Sequence, residues 1–338
     1  MSSVLVIGAG LAGCVAAARL SEAGTRVVMV EKTPDIGGKV RGYGCKATDK
    51  CNNCGLCLAC GLWNNIRKNR LVEVITSAEV VDLLGEAGEY TAVVRTSGGL
   101  RRIGDISSVI VSAGFDASNA GKSAHLHIEK TKGVLLGSEM EALIRGRSKK
   151  GIFPERPGSV AFIQCFGSRD AKERSFYCSR VCCAYSTRAA RVIKQHYPAC
   201  EITFFYMELQ SAANSDIFEE LTKIGVRFVK CRPVRITGER PVAVEYDDLA
   251  KGMTRENFDM VILSEGIRPS WDNSWMSAAY GLEQDEFGFL HKTEGCENGV
   301  YAAGCARRPL TIEETCADAE TAADAILTRW AEPRGLTA

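Results

Sequence analysis

Apolar residues along the chain fall into short blocks separated by polar and glycine-rich turns. Ser3–Ile7 and Arg26–Val30 are two such blocks, and between them Leu11–Ala23 is rich in alanine with apolar residues at helical spacing. This pattern predicts strand, helix, strand: a tight βαβ unit. Glu73–Thr76 and Tyr90–Arg95 alternate and predict antiparallel strands, and Ser107–Ser112 reads as a buried strand ending at Ala113 and Gly114. Glu139–Arg145 reads as a short helix. Gly151–Gly158, with Pro154 and Pro157, reads as a crossing between domains.

The pattern then starts again. Val160–Gln164 predicts a strand and Cys178–His196 a helix, with Pro198 just past its end. Glu201–Tyr206 and Val226–Lys230 read as strands around a helix, Asp216–Ile224, that stops at Gly225. Val242–Asp247 and Asn257–Leu263 read as a hairpin arm and a returning strand. After Gly266 the chain is expected to rejoin the first domain and to end in an amphipathic helix, Ile312–Trp330. The expectation is an α/β chain of two dinucleotide-binding-type domains. One is discontinuous, residues 1–152 with 268–338, and the other is inserted at 153–267.

Composition narrows the function. A length of 338 residues suits about two domains of ~150 residues. A net charge of +1 leaves no basic surplus for nucleic acid or an anionic membrane surface. The first residues run straight into a strand with no basic leader, and no apolar run has membrane-spanning length, so the expected location is cytoplasmic. Fifteen cysteines are many for that compartment, where ligation or redox chemistry is favoured over disulfides. Five fall within Cys45–Cys60 and four within Cys165–Cys183. The others (Cys14, Cys200, Cys231, Cys296, Cys305 and Cys316) read as small core residues. His125, His127, His196 and His291 are scattered and read as surface or capping residues.

Gly8, Gly10 and Gly13 follow the first strand and open the first helix, and Glu31 closes the second strand. Such a turn lets a pyrophosphate approach the backbone and meet the helix N-terminus. Glu31 is placed to accept from ribose hydroxyls. The fingerprint alone does not separate FAD from NAD.

Cys165 and Cys178 are separated by twelve residues, with three more before Cys182. On the expected helix Cys178 and Cys182 share a face and Cys183 points away. Four thiols around one strand-to-helix turn suit an iron–sulfur cluster, with Arg169, Arg180 and the helix N-terminus offsetting its negative charge. A vicinal disulfide, four buried thiols and a zinc site are the alternatives.

Gln164-Cys165-Phe166-Gly167-Ser168-Arg169-Asp170, then Tyr177-Cys178-Ser179-Arg180-Val181-Cys182-Cys183-Ala184-Tyr185, then Phe205-Tyr206-Met207, closely resemble the A-type component of heterodisulfide reductase. Its relatives include the A-type components of quinone-interacting membrane-bound oxidoreductases and the shorter A-type proteins of sulfur-oxidising bacteria. The present chain is similar to the short form, since it carries no appended ferredoxin run. The resemblance implies a thioredoxin-reductase-like fold of the three-layer ββα type, with a 4Fe–4S cluster on Cys165, Cys178, Cys182 and Cys183 near an FAD. It also implies a homodimer that works with B- and C-like subunits in sulfane sulfur oxidation, without membrane insertion of its own. The alternatives are a quinone-linked complex, a stand-alone flavin thiol/disulfide reductase and a non-catalytic scaffold with vestigial cofactor sites.

Asp35–Val40 and Gly299–Cys305 resemble the two further flavin-contacting segments of that group, with Cys305 where the group usually has Asp. By resemblance, FAD falls to Gly8, Gly10, Leu11, Ala12, Gly13, Glu31, Lys32, Gly38, Lys39, Val80, Ala113, Gly114, Gly304, Cys305, Thr311 and Ile312. Lys39 is a candidate to stabilise reduced flavin. Backbone N–H groups around Cys305–Arg307 are candidates to replace the missing Asp.

Cys51, Cys54, Cys57 and Cys60 have ferredoxin-like spacing and are candidates for a second cluster; a site completed by a partner, a labile cluster, redox-active thiols near the flavin and a purely structural role are the alternatives. Nearby Lys46 and Trp63 suggest an exposed loop. No second glycine fingerprint follows Val160–Gln164, so direct use of NAD(P)H is not expected.

Overall fold

In the computed structural model, which describes residues 2–117, 132–147, 151–210, 216–292 and 298–331, alternation along each strand sorts side chains onto two faces of a sheet. The chain forms two compact units. One comprises Met1–Arg41, Gly55–Asp116 and Pro269–Ala338, and the other Gly42–Cys54 with Ala117–Arg268. His125, His127 and Cys296 lie outside the described residues.

In the first unit Ser3–Ile7 pairs in parallel with Arg26–Val30 and with the second half of a long strand, Gly99–Val111. Val300–Ala302 adds to the same strand at Val109–Val111. The first half of Gly99–Val111 turns into an antiparallel meander with Tyr90–Thr96 and Glu79–Leu84. One strand thus serves two layers, and it begins at Gly99, ahead of the apolar run that starts at Ser107. Val72–Ile75 pairs in parallel with Arg26–Val30, so the antiparallel reading of Glu73–Thr76 is corrected. Alternation reports which face a residue occupies, and strand direction is set by where the neighbour runs.

Val4, Val6, Val27, Met29 and Ile110 face a helical layer made by Leu11–Glu22, Leu62–Lys68 and Ile312–Ala331. Leu5, Val28, Val30, Val109 and Val111 face the meander. This is the three-layer arrangement expected.

The second unit repeats the plan. A parallel sheet runs in the order Val226–Lys230, Glu201–Tyr206, Ser159–Phe166, Met260–Glu265, Val134–Leu136. Phe162, Phe204 and Ile262 face the helices Gly137–Arg145, Cys182–His196 and Asp216–Lys223. Ile163, Phe205 and Leu263 face an antiparallel sheet of Arg235–Thr237, Val242–Asp248 and Gly252–Phe258. Because Val134–Leu136 pairs with Val261–Leu263, the boundary falls at Asp116–Ala117 and not near residue 152. Ile152 and Phe153 belong to the second unit's core, with Tyr197 Oη accepting from both of their backbone N–H groups.

Arg227, Glu256 and Tyr246 link the two sheets of this unit. The guanidinium donates to Thr203 Oγ1 and to Glu256, and Tyr246 Oη donates to Glu256 Oε1 at 2.5 Å. The Arg227 contact, and then the Tyr246 hydroxyl, hold the Glu256 carboxyl below its ordinary value of 4.5. A depressed carboxyl stabilises the fold above its unfolded pKa and loses that contribution as pH falls through the folded value. Glu256→Gln is therefore expected to flatten the loss of stability below about pH 4.5, by about 1 kcal/mol or less given its partial exposure. Urea unfolding of both proteins between pH 3 and 6 measures this.

Candidate functional site: a nucleotide cradle and a thiol cluster

The cradle lies wholly in the first unit. Gly8 turns the chain at φ +93°, where an added Cβ would stand 2.6 Å from the Ser112 carbonyl oxygen. At Gly13 an added Cβ would stand 2.0 Å from the Gly8 carbonyl oxygen, so the helix packs on the turn only through glycine. Gly10 faces open space, with no heavy atom within 4 Å of an added Cβ. No side chain caps this helix, which leaves the first N–H groups, at Leu11, Ala12 and Gly13, for an anion. Gly38 opens a short 3₁₀ turn, Gly38–Gly42, with its backbone close against Gly10. The donor geometry fits a dinucleotide pyrophosphate.

Glu31 is buried, and it already accepts from the protein: Ala9 N–H at 2.7 Å on one oxygen, Thr33 N–H and Oγ1 on the other. These bonds aim the carboxylate and leave it further lone pairs for a ribose. Lys32 Nζ is 3.8 Å from Asp272. The Lys39 ammonium stands 4.9 Å over the Phe115 ring. Val80 is buried in its strand, its carbonyl accepting from Tyr280 Oη at 2.9 Å. Ala113 and Gly114 follow Ser112, whose hydroxyl donates to the Ile7 and Gly8 carbonyls.

Sequence reasoning missed Asp318, on the closing helix. Its buried carboxylate accepts from Gly304 N–H and from Arg307, both at 2.7 Å. The Arg307 N–H donates to the Gly304 carbonyl. Cys305 is buried, its thiol contacting the Leu310 carbonyl and Thr315, and burial pushes it up to about 11. It stays protonated at neutral pH. Thr311 and Glu314 form a reciprocal cap on the closing helix, so Thr311 orders the helix start beside Ile312. A Thr three residues before Glu was the available signal.

The second unit holds the thiol cluster. Cys165 ends its strand, and Cys182 and Cys183 open the Cys182–His196 helix; all three are buried and packed together. Cys178 lies before the helix, in a turn where Arg180 has φ +62°, which corrects the shared-face reading of Cys178 and Cys182. Arg180 N–H donates to Cys178 Sγ at 3.3 Å. Cys182 donates to Cys165 and Cys183, which keeps its own proton on and lowers both neighbours. Cys183 falls to about 7, helped by the Arg169 charge. Burial raises the Cys178 thiol.

Four of the seven non-glycine residues with positive φ among the described residues are Cys165, Arg169, Arg174 and Arg180. Each costs roughly 1–3 kcal/mol, and such strain concentrates at functional sites. The hydroxyls of Ser168 and Ser179 and the Arg169 Nη1 are buried without a hydrogen-bond partner. Closely spaced thiols, with the Arg169 charge acting on Cys165, Cys178 and Cys183, have the donor chemistry that fits an iron–sulfur cluster. Among the described residues no group of three or more His, Cys, Asp or Glu side chains is arranged around a single metal ion.

The amino-terminal cysteines are placed differently. Cys51 and Cys54 belong to the second unit, and Cys57 and Cys60, on and after the Leu56–Ala59 turn of helix, to the first. Cys45, Cys51, Cys57 and Cys60 are exposed, in keeping with an exposed loop, but Lys46 is itself buried and paired with Glu141 at 2.7 Å. Trp63 is partly buried against the helical layer. Arg188, on the cysteine helix, donates to the Asn52 and Asn53 carbonyls at 2.8 and 2.7 Å. The scattered Cys14, Cys200, Cys231 and Cys316 pack in or against apolar cores, as expected.

Residues 6–65 match the model of the NAD(P)-binding Rossmann-like domain. The A-type component of the H(2):CoB-CoM heterodisulfide,ferredoxin reductase of Methanothermobacter marburgensis is 26% identical, over 94% of this chain and 62% of its own. The iron-sulfur A-type component of the CoB–CoM heterodisulfide reductase of Methanocaldococcus jannaschii is 27% identical, over 96% of this chain and 64% of its own. The chain thus spans under two thirds of the length of these relatives. Among solved structures, thioredoxin reductase of T. acidophilum (TM-score 0.64, 16% identity) covers 98% of this chain and 99% of its own. That of Lactococcus lactis (TM-score 0.65, 17% identity) covers 97% and 98%. The fold is thioredoxin-reductase-like. No helix among the described residues is long and apolar enough to cross a membrane.

Proposed function

We propose that this chain, a relative of the A-type component of heterodisulfide reductase, is a flavin and iron–sulfur electron-transfer subunit of an oxidoreductase complex. The observation that carries the reading is the thiol cluster of Cys165, Cys182 and Cys183, with Cys178 alongside. It stands at the strand end where a second nucleotide loop would otherwise sit. FAD is held by the glycine turn, the uncapped helix start and Glu31; the 4Fe–4S cluster is held by the four cysteines. When bound, FAD exchanges electrons singly or in pairs and the cluster exchanges them one at a time.

This chain's residues orient and insulate those groups. Asp318 fixes the Gly304 turn, Lys39 brings positive charge to the cradle, and Arg169 and Arg232 bring it to the thiols. The finer reading is a cytoplasmic homodimer in a sulfane-oxidising complex with B- and C-like subunits.

Anaerobically purified protein is expected to contain one FAD and about four irons with matching acid-labile sulfide. Cys182→Ala is expected to lose nearly all iron and keep its FAD. About eight irons would add a second cluster at Cys51, Cys54, Cys57 and Cys60. FAD without iron, or rapid NAD(P)H oxidation by the isolated chain, would overturn the electron-transfer reading.

A further inference from the structure

Between Cys165 and Cys182 the chain makes a small closed turn. Arg169 N–H donates to the Tyr177 carbonyl, and Asp170 and Ser175 exchange backbone hydrogen bonds at 2.8 and 3.0 Å. Lys172 N–H donates to Asp170 Oδ1, and Tyr177 Oη ties the base of the turn to the Ile267 carbonyl at 3.0 Å. The turn is therefore held in one shape before any partner arrives.

Its two acids point inward. Asp170 pairs with Arg232, and Glu173 pairs with Arg268 at 2.7 Å, both acids being largely buried. Lys172 and Arg174 are exposed, so the charges that the turn itself sends outward here are positive, while Arg169 pairs with the exposed Glu208 at 3.1 Å. Phe176 sits among them with 66% of its surface exposed, immediately before Tyr177 and the half-buried Cys178. The chain as a whole is nearly neutral, at +1, so this concentration is local.

The geometry points to this turn as the docking site of an acidic electron-transfer protein, whose carboxylates meet Lys172 and Arg174 and whose apolar spot covers Phe176. Charge steers the encounter, and the aromatic ring slows departure. The inference rests on the cluster reading above, because Cys178 is the ligand that such a partner would approach.

The test measures association of an acidic two-cluster ferredoxin with the full chain by surface plasmon resonance, from 20 to 500 mM salt. Lys172→Glu with Arg174→Glu is expected to lower the association rate at least tenfold at low salt and to flatten its salt dependence. Lys172→Ser with Arg174→Gly removes the charge and relaxes the turn, and is expected to lower the rate several-fold. Phe176→Ser is expected to raise the dissociation rate several-fold with little change in association. Lys223→Glu with Lys230→Glu, an equal charge change on other elements of the same unit, is expected to leave binding unchanged.

Absence of saturable ferredoxin binding would overturn the proposal, as would an equal loss in the Lys223/Lys230 variant. So would tighter binding of a single-stranded oligonucleotide that the same turn variants abolish. Iron is assayed on the same samples, so an iron-free chain sinks the electron-transfer reading while the binding data still decide the surface.

Discussion

Gly13→Ala is expected to destabilise the protein by about 3 kcal/mol or more and to empty the nucleotide cradle, while iron at Cys165–Cys183 stays near its wild-type content. The added methyl would sit 2.0 Å from a backbone oxygen, 2.7 Å from Ser112 Oγ and 3.1 Å from Val6 Cγ1. Ser112 is itself pinned by the Ile7 and Gly8 carbonyls, so it cannot swing aside freely. Overpacking a tight core costs about 1–3 kcal/mol, and a clash against backbone belongs at the upper end. The helix must lift from the sheet, which moves the Leu11 and Ala12 N–H groups away from the pyrophosphate. Flavin per chain and the thermal midpoint report the two effects separately. Gly10→Ala is the contrast: the fold should tolerate it, since open space lies where its Cβ would stand, and only nucleotide affinity should fall.

Glu141→Ala is the second large effect. Its carboxylate accepts from Lys46 Nζ at 2.7 Å and from Gly44 N–H at 3.2 Å, and both members of the ion pair are almost fully buried. Removing one partner leaves a buried ammonium without its counter-charge and costs about 3–5 kcal/mol. Against the ~5–15 kcal/mol by which domains are usually stable, such a loss brings unfolding close. Lys46→Met with Glu141→Leu removes both charges together and is expected to recover most of the stability. Urea midpoints for the two variants decide it. A double variant as weak as the single one would mean that the segment is held by packing, with the charges incidental.

How much of this was legible beforehand follows from sequence distance. The glycine turn and Glu31 span a single βαβ unit, so spacing alone exposed them. Cys165, Cys182 and Cys183, which the structure packs together, flank one strand-to-helix turn and were visible for the same reason. Cys178 was misplaced because Arg180 bends the chain at positive φ without a glycine or proline to announce it. Lys46 was misread because its partner lies 95 residues away. Asp318 was missed because it reaches a turn fourteen residues upstream across a helix start. Nothing in Val134–Leu136, three apolar residues, announces the inner edge strand that moved the domain boundary.

The placement of Val300–Ala302 and Ile312–Ala331 bears on synthesis at the ribosome. The amino-terminal sheet receives its last strand, and Leu11–Glu22 its helical cover, only when these carboxy-terminal segments emerge. The inserted unit has all its strands out by Arg268. The half translated first is thus the half completed last. At 5–20 residues per second the apolar side of Leu11–Glu22 waits roughly 15–60 s for its cover. During that interval it is a natural client for a chaperone, and a nascent chain that stalls before residue 300 would leave a finished insert joined to an open, aggregation-prone sheet.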